Sequence, residues 1–301
     1  MTIHVVGNVC VDTSFRLERL PQPGETLNAT AAGEGVGGKG ANQAAAAART
    51  GACVTLWAPV GRDATGDRME SLLSTEISDL RLSRLDLSSD RSVILIDRHG
   101  ENVIITAAGC AEAFNPLTMC PLASTWSAGD MLLMQGNLGA DVTVQCLEAA
   151  RGAGLFTVLN PSPLASDAPD LSAVSLLIIN RPEAEALTGE TSADRAADRL
   201  RARGAATVIV TLGSEGVLVL DASSRLHIPA EKREAVDASG AGDCFAGTLA
   251  GLLAQRATLA DAARLATRAA GIAVGRAGTL ASFPTSAELA ALTKTLKLEN
   301  V

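Results

Sequence analysis

Two glycine-rich runs hold most of the residues whose types and spacing could do chemistry. The first is Gly33-Glu34-Gly35-Val36-Gly37-Gly38-Lys39-Gly40-Ala41-Asn42-Gln43. Closely spaced glycines let backbone approach a ligand. Lys39 and Asn42, at the start of the helix that follows, would point polar groups at that ligand. Gly35, Gly37 and Gly40 spell GxGxxG, and Gly33 to Lys39 spell GxxxxGK. A dinucleotide fingerprint belongs in the first strand–helix turn, with an acid ~20 residues later. Here the first strand ends near Gly7-Asn8, and Leu56–Pro59 holds no acid. A phosphate-binding P-loop needs Ser or Thr after its Lys, and Gly40 stands there. An NAD-dependent dehydrogenase built on these glycines is therefore a remote reading.

The second run is Val236-Asp237-Ala238-Ser239-Gly240-Ala241-Gly242-Asp243-Cys244-Phe245-Ala246-Gly247. Small residues precede an apolar helix that starts near Gly242. The free N–H groups of Gly240, Ala241 and Gly242 would form a positive nest at the helix N-terminus. Such a nest suits charge building on a phosphoryl group. Asp243 falls in the first helical turn. A carboxylate there interacts favourably with the helix dipole, worth ~0.3–1 kcal/mol. It could also accept a proton from a hydroxyl attacking a phosphoryl group. The residues alone leave both roles open.

The elements that must position these runs alternate along the chain. Apolar periodicity predicts strands at His4–Val9, Val54–Val60, Met131–Gln135, Leu155–Asn160, Leu176–Asn180, Thr207–Thr211 and Gly216–Leu220. It predicts helices at Ala41–Thr50, Gly66–Leu73, Asp141–Arg151, Ala193–Arg203, Gly242–Ala254, Leu259–Val274 and Ser286–Leu296. Strand–helix alternation of this kind implies an α/β fold with a mostly parallel sheet covered by helices on both faces. Phe15–Ala32 and Ser92–Ala107 do not fit that rhythm. The first carries Leu20-Pro21-Gln22-Pro23-Gly24-Glu25-Thr26 and then an extended-looking LNATAAG; the second is a hairpin pattern around Arg98-His99-Gly100-Glu101. Both read as one small sheet beside the main unit, placed to cover a site.

Composition narrows the function classes. The 301 residues are 47% hydrophobic and 19% charged, with a net charge of −8. That composition excludes wholesale disorder and argues against a nucleic-acid partner, which needs a basic face. Aromatics make up 2% with no Tyr, too few for base-stacking platforms. No apolar run reaches the ~20 residues of a membrane span, and the N-terminus lacks the features of a signal peptide. Six scattered cysteines without CxxC read as reduced, largely buried thiols in a cytoplasmic protein. His4, His99 and His227 show no triad or zinc spacing, and His99 is expected to be solvated at its hairpin tip.

GVGGKGANQAAAAARTG and DASGAGDCFAG resemble the two signatures of the ribokinase-like carbohydrate kinases (PfkB family), in order and at family-like spacing. The resemblance spans the chain. It takes in Gly7-Asn8-Val9-Cys10-Val11-Asp12, Val60-Gly61-Arg62-Asp63, Asn160-Pro161-Ser162-Pro163, Asn180-Arg181-Pro182-Glu183, Thr211-Leu212-Gly213-Ser214-Glu215-Gly216 and Ala273-Val274-Gly275-Arg276-Ala277-Gly278. It implies a Rossmann-like three-layer αβα sandwich with a small β-sheet lid. The core would comprise residues 1–11, 33–91 and 108–301, and the lid 12–32 and 92–107. It implies transfer of the γ-phosphate of ATP to a hydroxymethyl group of a sugar, with ribose the first expectation. A ketohexose, a 2-keto-3-deoxy sugar acid or a nucleoside is the alternative acceptor, and a catalytically silent sugar-binding regulator is more remote.

The same resemblance implies the site. Asp243 would be the base, with Gly240, Ala241 and Gly242 as anion hole. Asp12, Gly38, Lys39, Asn42 and Asn137 would hold the sugar. Asn180, Thr211, Gly213, Gly216 and Thr267 would contact ATP. Glu183 would orient Mg²⁺ through water. Asp237, Ser239, Ala273, Gly278 and Ser282 would form a K⁺ site, and the lid would make a homodimer contact. Two sugar-pocket positions depart from the pattern: Cys10 stands where Asn is usual, and Asn137 where Glu is usual. Losing a hydrogen bond to a charged group can weaken binding by ~1.5–3 kcal/mol, so these two positions bear on which sugar is accepted.

Overall fold

The structure is a computed structural model that describes residues 1–99, 102–164 and 170–299. Its strands are β1 Ile3–Val6, β2 Cys10–Arg16, β3 Ala31–Gly37, β4 Val54–Gly61, β5 Asp79–Leu85, β6 Arg91–Ile96, β7 Asn102–Ala107, β8 Met131–Gln135, β9 Phe156–Asn160, β10 Leu176–Asn180, β11 Thr207–Thr211, β12 Val217–Leu220 and β13 Arg225–Ile228. Its helices are α1 Lys39–Arg49, α2 Ala64–Leu73, α3 Gly109–Ala113, α4 Pro116–Met119, α5 Ala140–Gly152, α6 Arg181–Thr188, α7 Ala193–Ala202, α8 Ala241–Ala254, α9 Leu259–Val274 and α10 Ser286–Glu299.

Nine strands make one sheet in the order β13-β12-β11-β10-β9-β8-β1-β4-β5. From β11 to β5 every pairing is parallel, and β12 and β13 add an antiparallel end. Successive side chains of a strand point to opposite faces, and they sort the core in two. Ile3, Val5, Met131, Leu133, Ile178 and Ile209 pack towards α1, α2, α8 and α9. Val6, Leu132, Met134, Leu177, Ile179, Val208 and Val210 pack towards α5, α6 and α7. Both faces are covered, which is why these strands read as continuous apolar runs. The expected three-layer αβα sandwich is present.

The second sheet is β3-β2-β6-β7. The hairpin expected at Ser92–Ala107 is β6 and β7, paired antiparallel; Gly100 and Glu101 lie outside the described residues. Three expectations are corrected. The first core strand stops at Val6 rather than Val9, and a second strand begins at Cys10. Extended pairing over Phe15–Ala32 is confined to its two ends, because the Pro-rich stretch between β2 and β3 cannot supply ladder donors. The first glycine run is largely strand: β3 pairs Gly33, Gly35 and Gly37 with Ser14, Asp12 and Cys10. Residues 31–37 therefore belong to the small sheet, and GxGxxG does not follow a core strand. Without Cβ at Gly37 the Asp12 carboxylate can lie across the strand; a Cβ there would stand 2.0 Å from Asp12 Oδ2.

Caps on the core helices are local and sequence-encoded. Asp63 Oδ1 accepts from Gly66 N (2.7 Å) and starts α2. Thr258 Oγ1 accepts from Asp261 N (3.1 Å) at α9. The β5 edge strand, β13 and the short α6 were not anticipated. β5 alternates Leu with Asp79, Arg81 and Ser83, and is only half buried, so its apolar signal is weak.

Candidate active site

The order of the main sheet turns at β1. The chain passes from β1 to β4 and β5 on one side, then to β8 and beyond on the other. The crevice at the C-terminal ends of β1 and β8 is thus a topological switch point, the place where open α/β sheets bind ligands. The two glycine runs meet there. Packing of α1 on α8 is close enough that a Cβ on Gly247 would stand 2.2 Å from the Gln43 carbonyl oxygen. That approach sets the start of α8 against the start of α1.

Asp243, 4% exposed, is the focus. Its Oδ2 accepts from Asn42 Nδ2 (3.1 Å) and its Oδ1 from Gln43 Nε2 (2.9 Å). Lys39 Nζ lies 3.7 Å from Oδ1. Gly240 is the N-cap of α8 at φ 76°, and no side chain caps the helix. The Ala241 N–H is directed at the Ala238 carbonyl (3.3 Å). That N–H is therefore not free, as the nest expectation had it, and the carboxylate lies in a first turn that no side chain caps, where negative charge is stabilised.

Asn8 and the lid complete the crevice. Asn8 holds the start of α1, its carbonyl accepting from Ala41 N (3.1 Å) and its Oδ1 from Gly40 N (3.4 Å). Asp12 accepts from the Cys10 thiol (3.2 Å). Burial pushes the Asp12 carboxyl above its ordinary value, and the Asp243 charge adds to the push; the Cys10 and Ser92 donors and the Lys39 charge pull it back. Burial pushes the Cys10 thiol far up. Asn42 Oδ1 and Asn137 Oδ1 are enclosed acceptors without a donor. A buried carbonyl without a partner is costly, so a ligand presenting O–H groups is what these atoms lack. A cavity of about 620 Å³ runs beneath the lid from Asp12 and Ser14 to Asp237 and Gly278.

The family model of the pfkB family carbohydrate kinases matches residues 2–286. The chain belongs to that family. It is 34% identical to the ribokinase of Mus musculus over 298 residues, covering 95% of this chain and 92% of the mouse protein. It is 31% identical to the deoxyribokinase of Salmonella typhi, covering 94% of this chain and 96% of that one. The structure of Arabidopsis thaliana ribokinase complexed with ribose and ATP superposes with TM-score 0.83 at 25% identity, over 97% of this chain and 98% of that one. The chain is accordingly a phosphotransferase with an alcohol acceptor.

Beyond the crevice, the strand ends of this carbohydrate kinase carry polar residues in a row. Gln135 pairs in register with Asn160, and Asn180 with Thr211. Asn180 is the N-cap of α6: its Oδ1 accepts from Glu183 N (2.8 Å), and Glu183 Oε2 accepts from Asn180 N (3.1 Å). This capping box is a structural use for Asn180 and Glu183 that the motif did not announce. Gly213 and Gly216 take positive φ in the turn into β12, and a Cβ on Gly216 would meet the Ile228 carbonyl oxygen at 2.0 Å. Thr267 is buried, its hydroxyl donating to the Ala263 carbonyl within α9 (2.8 Å). The geometry turns that hydroxyl into its own helix.

Of the residues suggested for K⁺, Asp237, Ser239 and Gly278 are joined by hydrogen bonds. Asp237 Oδ1 accepts from Ser239 N (2.9 Å) and Oδ2 from Gly278 N (3.0 Å). Ser282 is buried, its hydroxyl donating to the Thr279 carbonyl (2.7 Å). The Ala273 carbonyl accepts from Arg276 N (3.0 Å). Arg16 of the lid reaches to 3.8 Å from Asp237 Oδ2, which ties the lid to this loop. Among the described residues no group of three or more His, Cys, Asp or Glu could hold a metal ion. Gln43 and Gln135 were not expected in the site. Gln43 stands in the first glycine run, beside Asn42, and only the packing of α1 on α8 reveals what it faces.

Proposed function

We propose that the chain is an ATP-dependent ribokinase that phosphorylates the hydroxymethyl group of ribose. The observation that carries this is the buried Asp243 carboxylate, held by Asn42, Gln43 and Lys39 at the first turn of α8. Asp243 accepts the proton of the attacking hydroxyl. The N-terminal turn of α8 offsets charge on the transferring group, where positioning and electrostatics supply most of the catalysis. Asp12, Gly38, Lys39, Asn42 and Asn137 hold the sugar. The enclosed Asn42 and Asn137 oxygens support a ligand rich in O–H donors. Asn180, Thr211, Gly213, Gly216 and Thr267 line the ATP side. The lid excludes water, which protects ATP from hydrolysis.

Mg²⁺ neutralises phosphate charge and is held largely by phosphate oxygens and water. Glu183 keeps Oε1 for one such water, since Oε2 closes the capping box. The Asp237 carboxylate, the Ser239 and Ser282 hydroxyls and the carbonyls of Ala273 and Gly278 are all oxygen donors, which suits K⁺. Lid pairing into a homodimer is supported by apolar residues on the lid surface. Val93 and Ile105 pair across β6 and β7 and are 38% and 63% exposed; Val103 is 42% exposed. A cytoplasmic setting is supported by six unpaired thiols. Among the described residues no helix is long and apolar enough to cross a membrane.

Deoxyribose is the second reading. Asn137 lacks the charge that would hold one more hydroxyl, and the deoxyribokinase relative is nearly as similar as the ribokinase. The test is ADP release with Mg-ATP and K⁺ on ribose, deoxyribose, ketohexoses, sugar acids and nucleosides. Ribose is expected to give the highest kcat/KM; a better acceptor in the panel overturns the assignment.

A further inference from the structure

We propose that Gln43 is a positioning residue for Asp243, its orientation dictated through Asn160 by the backbone carbonyl of Ile178. The proposal rests on the reading of Asp243 as the base. Pairing of β9 with β10 runs only through Val158 and Leu159. At the next residue the Asn160 side chain takes over, its Nδ2 donating to the Ile178 carbonyl (2.9 Å). A carbonyl can only accept, so Asn160 must turn its Oδ1 the other way, towards Gln43. Gln43 must then present Nε2, which donates to Asn160 Oδ1 (3.0 Å) and to Asp243 Oδ1 (2.9 Å). Its Oε1 accepts from Gln135 Nε2 (3.0 Å). Gln43 is fully buried, and Gln135 and Asn160 nearly so.

Each amide has one orientation that satisfies its neighbours, and a flip at any of them sets donor against donor or acceptor against acceptor. The relay therefore presents an N–H to Asp243. It fixes the carboxylate's rotation, leaving its direction towards the crevice independent of the sugar. No acid or base lies within the relay, so it cannot move protons; it is a clamp. The charged or titratable groups that also face Asp243 are Lys39 from α1, Asp12 from the lid and the Cys244 thiol beside it. The Gln43 contribution is separable from theirs because Gln43 alone connects to Gln135 and Asn160.

The test compares Gln43→Leu, Asn160→Leu and the double variant with the parent, using steady-state kinetics on the best acceptor. Melting temperature and ATP binding by calorimetry check that each variant is folded. Loss of orientation is expected to lower kcat by ~10- to 100-fold in Gln43→Leu, with acceptor KM changed little. Asn160→Leu removes the acceptor that dictates the Gln43 orientation, so the carboxamide is free to turn, and kcat is expected to fall in the same way by less. The double variant is expected to match Gln43→Leu, because residues of one network are not additive. Normal kcat in folded Gln43→Leu overturns the proposal, as do multiplicative effects in the double variant. Should Gln43→Leu not fold, normal kcat in folded Asn160→Leu overturns it alone. Normal turnover by Asp243→Asn would instead refute Asp243 as the base.

Discussion

Replacing Asp243 with Asn tests the chemistry and the geometry together. The carboxylate spends one oxygen on Asn42 Nδ2 (3.1 Å) and the other on Gln43 Nε2 (2.9 Å). An amide has one oxygen and one NH₂, so an NH₂ faces an NH₂ unless Asn42 turns, and a turned Asn42 buries its own NH₂ where its unpartnered oxygen now stands. Gln43 cannot turn to relieve this, because Asn160 and Gln135 hold it. One buried donor is left unmatched, at a cost of about 1–3 kcal/mol. Lys39 also loses the negative charge 3.7 Å away. Turnover should fall by ~10²–10⁴-fold, the usual contribution of a general base. ADP release coupled to NADH oxidation measures turnover, calorimetry measures ATP affinity, and urea denaturation measures stability. ATP affinity should stay near that of the parent while stability drops. Turnover within tenfold of the parent would refute Asp243 as the base. Undiminished stability would refute the donor–donor argument, whatever the rate.

Two further outcomes follow from the lid and the first glycine run. Gly38 starts α1 at φ 95°, and a Cβ there would meet Asn8 O, Val9 Cα and Cys10 N at 2.8–3.0 Å. Gly38→Ala should cost about 1–3 kcal/mol and weaken acceptor binding, whereas Gly35→Ala, whose Cβ meets nothing within 4 Å, should be near neutral; equal denaturation midpoints would refute the distinction. Acceptor affinity should also titrate with Asp12. Burial raises its carboxyl above the ordinary 3.8, and a sugar hydroxyl donates best to the ionised form. Affinity should be full at neutral pH and fall as acid reaches the raised value, and Cys10→Ala should move that fall to higher pH by removing a donor. Calorimetry that shows flat acceptor affinity down to pH 4 refutes this.

The α/β alternation, both glycine runs and Asp243 at the head of an apolar helix were legible in the sequence because their signals are local. Strand and helix periods repeat every 2 and 3.6 residues, and a helix N-terminus is announced by the residues beside it. The caps at Asp63, Thr258 and Asn180 are of the same kind: each bonds a backbone N–H three residues on. What the tertiary structure decided is which distant groups share a hydrogen bond. Gln43 lies 200 residues from Asp243 and 117 from Asn160, and nothing in its neighbours along the chain distinguishes it from an ordinary polar residue on a helix. Membership of Gly33–Gly37 in the lid likewise depended on pairing with β2, since glycine has no side chain to declare a face. A side chain's residue type says what it can bond, and only packing says what stands within about 3 Å of it.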